Sequence, residues 1–207
     1  TVITLGYRQA AEKAQELLDS DYDMYSSYYL TKAAAQALRA RVALYMQDWD
    51  NAIKYSSEII DSEAKMFQLA DARSQYTSDM TYLDYMWAYD VAYEIIWRVG
   101  YTPTSYGGAL GQVFLNFTSD YTYYYPDYVP AQWVLNLYDS SDGRLGAYFA
   151  TLQTGYSSGL SLTLLTKYYG NQTLIGSNLY HLSMPKVFRL SEQYLIRAEA
   201  YCMKGDY

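Results

Sequence analysis

The chain has 207 residues, half of them apolar, which suits one ordinary domain with a real core and excludes a disordered tail. Its net charge of −7, with no clustered Lys or Arg, argues against nucleic acid as a partner, because phosphate recognition needs a basic surface. A single cysteine, Cys202, excludes an internal disulfide and a cysteine metal site, and it is expected to be a small buried hydrophobe.

Tyr7 to Asp19 has the first helical stripe, with Tyr7, Ala10, Ala11, Ala14, Leu17 and Leu18 opposite Glu12, Lys13 and Glu16. Ser20 to Tyr29 is polar and tyrosine-rich, a loop by composition. Thr31 to Asp61 then reads as two antiparallel helices joined by a tight turn. Thr31 is the expected N-cap of the first, whose apolar positions are Ala34, Ala37, Leu38, Val42 and Tyr45. The second repeats the spacing with Trp49, Ala52, Ile53, Ser56, Ile59 and Ile60. Ala43 and Ala52 let the backbones approach, and Trp49, Tyr45 and Ile53 are expected to fill the remaining space. The set Leu38, Tyr45, Asp48-Trp49 and Ala52-Ile53 has the pattern of a tetratricopeptide hairpin, a unit that needs neighbours to bury its faces.

The signal weakens from Ser62 to Met86, where Phe67-Gln-Leu69 is a short strand or turn. Glu94 to Val99 is rich in β-branched and aromatic residues and reads as a strand. Residues 100 to 130 are the least regular stretch, carrying several glycines, three prolines and seven tyrosines. A loop of this length in a compact domain is functional or disordered, and the aromatic content argues against disorder. Pro130 to Tyr138 is a short helix with Trp133, Val134 and Leu137 on one side, and Trp133 is expected in the core. Asp139 to Gly143 is a turn that lacks the ligands of a calcium loop. Leu160 to Tyr169 and Lys186 to Leu190 have strand character. Ser191 is the expected cap of a final helix, with Tyr194, Leu195, Ala198, Tyr201 and Cys202 inward and Gly205 after its end.

An internal repeat links the two ends. Aligning Asp48-Trp49 with Asp206-Tyr207 superimposes Leu38-Arg39-Ala40 on Ile196-Arg197-Ala198. The recurring Arg39, Arg41 and Arg197 read as ion-pairing or stem-packing residues. The fold expected is mainly α, with tetratricopeptide-like helical hairpins and an inserted loop-rich region containing short strands. Residues 5–62 form its helical part, 63–186 the insert, and 187–207 the start of a further hairpin, all in one domain fragment.

The ordered blocks resemble the SusD/RagB family of Bacteroidetes outer-membrane nutrient-binding lipoproteins. They are Ala35 through Ile53, Glu94-Ile-Ile-Trp97, Asp142-Gly-Arg144, Lys167-Tyr168, and Phe188 through Ala200 followed by Lys204-Gly-Asp206. The resemblance implies a helical scaffold whose loop-rich region captures oligosaccharides, or sometimes peptides, at the cell surface. It implies a SusC-like TonB-dependent transporter as partner and membrane association through a lipid anchor outside this chain. The chain starts inside an amphipathic pattern without an initiator Met and reads as a piece of a longer protein, so a missing export signal carries no information. No apolar run is long enough to cross a membrane as a helix.

The tyrosine count, 28, is the unusual number in the composition. Tyrosine combines an apolar ring with a polar tip, which suits the apolar C–H face and hydroxyl rim of a pyranose. The ligand-binding candidates are Tyr82, Tyr85 and Trp87 in one stretch and Tyr121, Tyr123, Tyr124, Tyr125 and Tyr128 in another. Trp133 is a further tryptophan to weigh, while Trp49 and Trp97 are expected in the core. No catalytic residue, metal ligand or cofactor is assigned: His181 is the only histidine, so no histidine-based triad or cluster can form. Two other classes stay open, a helical-repeat protein that binds peptides or a protein partner without a glycan role, and an enzyme such as a glycosidase.

Overall fold

The computed structural model describes residue 9 and residues 27–63, 65–117, 122–157 and 159–205. Apart from residue 9, the expected helix over Tyr7 to Asp19 lies outside these, as do the candidate Tyr121 and the Asp206-Tyr207 pair. The elements in chain order are α1 (Lys32–Tyr45), α2 (Trp49–Ile60), β1 (Gln75–Thr77), β2 (Met80–Thr81), α3 (Tyr82–Tyr89), β3 (Ile95–Arg98), α4 (Gln112–Leu115) and α5 (Gln132–Leu135). They continue with α6 (Gly143–Tyr148), β4 (Phe149–Gln153), β5 (Ser161–Leu165), a 3-10 turn (Thr166–Tyr168), α7 (Gln172–Ile175), β6 (Lys186–Arg189) and α8 (Leu190–Lys204). The fold is mainly helical with short strands, as the sequence predicts. The strands pair antiparallel as β1–β2, β3–β6 and β4–β5. The chain divides into two compact units, one of residues 1–69, 93–99 and 185–207, the other of residues 70–92 and 100–184.

The first unit is built on the α1–α2 hairpin with α8 as a third helix. Thr31 caps α1 by accepting from the Ala34 N–H at 3.3 Å, and Asp48 caps α2 by accepting from the Asn51 N–H at 3.2 Å. α1 buries an alanine-rich face, so its neighbours approach closely: Ala40, Ala43 and Ala52 meet Ile196 and Ala200, with Trp49 and Ile53 against them. A second cluster joins Ala33, Ala34, Ala37 and Ile59 to Ile96, Phe188 and Leu190, with Trp97 packed alongside, so the β3–β6 ribbon closes the hairpin's other end.

Polar ties reinforce this core. Arg41 makes a forked pair with Glu192, at 2.6 and 2.7 Å. Arg39 lies over the Tyr55 ring at 3.8 Å, and Arg197 pairs with Asp61 at 2.7 Å. All three arginines serve the scaffold, and Arg39 and Arg197 occupy matching repeat positions. Buried Glu94 accepts from Arg189 at 3.0 Å and from the Ser191 hydroxyl at 2.7 Å.

Three expectations here are corrected. Tyr45 does not fill the hairpin; it is 64% exposed, and Trp49, Ile53 and Tyr55 pack against the alanines instead. Ser191 does not cap α8, whose N-cap is Arg189, since its hydroxyl is committed to Glu94. The inward face of α8 is Leu190, Gln193, Ile196 and Ala200, whereas Tyr194, Leu195, Ala198, Tyr201 and Cys202 are exposed. A mixed apolar helix offers two competing stripes, and the narrow one, with the small residue, fits the alanine-rich partner.

In the second unit, β1 and β2 form a tight hairpin that runs into α3. A reciprocal capping box starts this helix. Thr81 Oγ1 accepts from the Asp84 N–H at 3.1 Å while Asp84 Oδ2 accepts from the Thr81 N–H at 2.9 Å. The helix ends at Asp90, in the left-handed conformation at φ 55°. Leu83 and Met86 face inward, and Leu174, Leu182 and Met184 form a further cluster of this unit. Asn171, fully buried, accepts from the Thr173 and Leu174 N–H groups at the start of α7 and donates to the Tyr89 carbonyl at 2.7 Å. His181 is buried, with Nδ1 3.2 Å from the Tyr169 carbonyl, and burial holds its pKa below the usual imidazole range.

Candidate functional site

The second unit carries the aromatic surface. Helical spacing sorts the α3 candidates into two places. Tyr82, Tyr85 and Tyr89 stand at i, i+3 and i+7 and share a face, while Trp87 points elsewhere. Tyr76, from β1, joins the tyrosine face. Its ring stacks on Tyr85 at 3.9 Å and meets Tyr82 edge-on at 5.6 Å, and Tyr85 reaches Tyr89 at 5.1 Å. Tyr76, Tyr82 and Tyr89 are exposed, so this cluster presents edges and hydroxyls to solvent. Tyr85 is covered by its neighbours on both sides.

Trp87 lines an open cleft of about 180 Å³ with Asp84, Ala88, Ala147, Thr166, Lys167, Tyr169 and Gln172. The sequence puts these residues together through α3, α6 and the 3-10 turn after β5. Tyr148 and Tyr168 meet the indole edge-on at 6.2 and 5.7 Å. Lys167 Nζ stands 4.3 Å from the centre of the Trp87 ring system, 4.9 Å from Tyr148 and 5.3 Å from Tyr168. Cation–π attraction to three rings fixes this side chain. The cleft therefore combines an aromatic wall with a carboxylate, an amide, a hydroxyl and an ammonium. A concave, partly apolar site with a few convergent polar groups is the usual shape of a small-molecule site.

The tyrosine run sorts as its burial dictates. Tyr124 is partly buried, edge-on to Phe117 at 6.4 Å, and its N–H donates to the Gln153 carbonyl. Burial, then the Tyr169 hydroxyl, raises its phenol pKa well above the ordinary value. Tyr125 packs edge-on against Tyr156 at 5.3 Å, and Tyr156 in turn donates to the Pro126 carbonyl. Tyr123 and Tyr128 are exposed, Tyr128 at 66%. Ring contacts make this division: Tyr124 and Tyr125 each have a partner, Phe117 and Tyr156.

Trp133 is not in the core. It is 67% exposed on α5, with Leu137 exposed beside it. The helix is four residues long, and only Val134 and Leu135 are even half-buried, so it provides no core for the indole. The sequence signal for an exposed tryptophan was present in the flanking Pro130 and the Asp139 turn, which leave the segment too short to reach a core.

The Asp139 turn forms as expected, and its carboxylates are committed locally. Asp139 accepts from the Ser141 N–H at 2.8 Å, and Asp142 caps α6 through the Arg144 N–H at 3.0 Å. Among the described residues, no group of three or more His, Cys, Asp or Glu side chains is placed to hold a metal ion. None of the described helices is long and apolar enough to cross a membrane.

No protein-family model matches the sequence, and no curated protein does. Solved structures do match. Surface glycan-binding protein A from Bacteroides uniformis superposes with a TM-score of 0.66 and 18% identity, over 96% of this chain and 45% of its own. A SusD-like carbohydrate binding protein from Bacteroides vulgatus gives 0.68 and 18%, over 97% and 40%. Surface glycan-binding protein A from Bacteroides thetaiotaomicron, in complex with laminarihexaose, gives 0.65 and 18%, over 97% and 50%. The chain spans about half the length of the structures it matches. It has the SusD-like fold, in part.

Proposed function

We propose that this chain belongs to a SusD-like protein that binds oligosaccharides or polysaccharides at the cell surface. In the same proposal it passes them to a SusC-like TonB-dependent transporter in the outer membrane, held there by a lipid anchor outside this chain. The carrying observation is the Trp87 cleft, where an aromatic wall faces Asp84, Thr166, Tyr169 and Gln172. A pyranose stacks its C–H face on such a wall and spends its hydroxyls on the polar rim. Tyr82, with Tyr85 packed behind it, lies on the same helix and supplies a further hydroxyl-bearing surface. Tyr123 and Tyr128 are exposed contacts for a longer chain, while Tyr124 and Tyr125 hold the loop in place. The role is binding rather than turnover.

An open, wet site gains little over its ordering costs, so the expected affinity is about micromolar to millimolar, roughly −8 to −4 kcal/mol. Affinity electrophoresis against a polysaccharide panel tests this, with Trp87→Ala as the discriminating variant. Retardation lost in Trp87→Ala supports the cleft, and an intact protein retarded by no glycan ends the proposal. Co-purification with the transporter tests the delivery step separately.

A second reading, a helical-repeat protein that binds a peptide or protein partner, is favoured by the exposed apolar side of α8 at Tyr194, Leu195, Tyr201 and Met203. Partner capture that survives Trp87→Ala but fails in Leu195→Asp would support it.

A further inference from the structure

We infer that α5 carries a second stacking site, separate from the Trp87 cleft, for one neutral pyranose unit of a glycan chain. It is built from the Trp133 indole and the side-chain amides of Gln132 and Asn136. The inference rests on the glycan-binding reading and extends it to a surface that reading does not use.

The indole is open. At 67% exposure it is the most accessible of the described tryptophans, and among the described residues no aromatic ring or cation packs on it. An indole held in water keeps its hydration cost unless something covers it. The helix beneath is pinned by its own backbone, with Val134 N–H to the Ala131 carbonyl at 2.9 Å and Leu137 N–H to the Val134 carbonyl at 3.2 Å. The ring is therefore presented on a local turn and takes no part in a core.

The amides supply direction. Gln132 Nε2 donates to Asn136 Oδ1 at 2.9 Å. That bond orients both groups and leaves Gln132 Oε1 as an acceptor and Asn136 Nδ2 as a donor. Two neighbouring sugar hydroxyls, one donating and one accepting, match this pair. Asn136 stands three residues after Trp133, so the pair borders the ring on the helix surface.

The surroundings set the class of ligand. From Tyr128 to Tyr138 the sequence holds no charged residue, and the Arg144 guanidinium, 5.6 Å from the Tyr138 ring, is already paired with Asp142. A uronate or sulfated sugar gains no counter-charge there, and a neutral one loses nothing. Two weak sites on one unit act together on a polymer through effective concentration, and act singly on a short oligosaccharide.

The test uses the full chain and three variants, Trp87→Ala, Trp133→Ala and Trp133→Phe, in native gels containing starch, laminarin, xylan or galactomannan, with polygalacturonate as the charged control. Trp133→Ala weakens the interaction with the retarding neutral polysaccharide about tenfold. Trp133→Phe restores most of it, and Asn136→Ala costs about threefold. Calorimetry with the matching trisaccharide shows one binding event lost in each tryptophan variant and the other retained. Unchanged retardation of Trp133→Ala, with Trp87→Ala impaired, overturns this site and leaves the cleft reading standing. Loss in Trp133→Ala with Trp87→Ala unimpaired supports this site and overturns the cleft. A protein retarded by none of the polysaccharides overturns both. Glycan binding untouched by Trp133→Ala together with loss of a captured protein makes the patch a protein contact and also overturns the inference.

Discussion

Asn171 donates from its side-chain amide to Asp90 Oδ2 at 2.9 Å, across 81 residues of sequence. Both are fully buried, and the same carboxylate oxygen accepts from the Met184 N–H at 3.0 Å. The pair joins the end of α3 to the start of α7 and to the chain leaving the second unit. Removing one partner of a buried charged group leaves the other without its compensation, at a cost of about 3 kcal/mol. Asn171→Ala is expected to lower the unfolding free energy by that amount in urea titration. A change below about 0.5 kcal/mol would show that water replaces the amide without loss.

Glu94 has the same role in the first unit, where it receives Arg189 and Ser191. Glu94→Gln keeps the shape and removes the charge, and is expected to destabilise by about 2 kcal/mol. Ser191→Ala deletes a single bond and is expected to cost about 1 kcal/mol. Thermal unfolding of the two variants gives the ranking directly. An equal or inverted ranking rules out a dominant ion pair.

Asp142 is the clearest electrostatic prediction. Hydrogen bonds from the Arg144 side chain, then from its N–H, hold the carboxyl at a pKa of about 2, against an ordinary 3.8. A depressed carboxylate pKa means stability that is fully present above the unfolded value and lost as pH falls through the folded one. The contribution therefore fades between about pH 4 and pH 2 and is absent at higher acidity. Carbon-detected titration of Asp142 is expected to move toward the ordinary value in Arg144→Ala. A midpoint that stays put would exclude Arg144 as the cause.

Gly111 supports the cleft from behind. A Cβ there would stand 1.9 Å from the Tyr168 carbonyl oxygen, a backbone atom that cannot swing away. Gly111→Ala is expected to displace the Thr166–Tyr168 turn, which carries Lys167 into the cleft, and to destabilise by roughly 2 kcal/mol or more. Glycan retardation and stability should fall together in this variant. In Trp87→Ala, retardation should fall much further than stability, and that contrast separates binding from folding.

The hairpin of α1 and α2 was legible in detail because its periodicity, its cap at Thr31 and its alanines all point the same way. The β3 and β6 segments were legible as strands, but their pairing was not, since nothing in either stretch names its partner. The α3 helix was missed although Thr81 and Asp84 spell a capping box. Its eight residues hold too many tyrosines for a clean stripe. Trp133 and Cys202 were placed in the core by the apolar stripes of their predicted helices, but α5 is too short to bury its stripe and Cys202 lies on the stripe of α8 that stays exposed. The grouping of Trp87 with Tyr82 and Tyr85 reflected sequence proximity. The helix turns Trp87 away to meet Lys167 and Tyr168, which are some eighty residues further on.

The pairing of Ile95 with Arg189 also sets an order of events during synthesis. The ribosome releases α1, α2 and β3 first, but the ribbon that closes their core needs β6, nearly a hundred residues later. The whole second unit lies before that point, so its last residue emerges before the first unit can be completed. Until then the apolar face of the hairpin and the edge of β3 stay open, which is the interval in which the nascent chain is vulnerable to aggregation. A chain stopped at residue 184 should accordingly protect the Asp90–Asn171 region from proteolysis while leaving α1 and α2 susceptible.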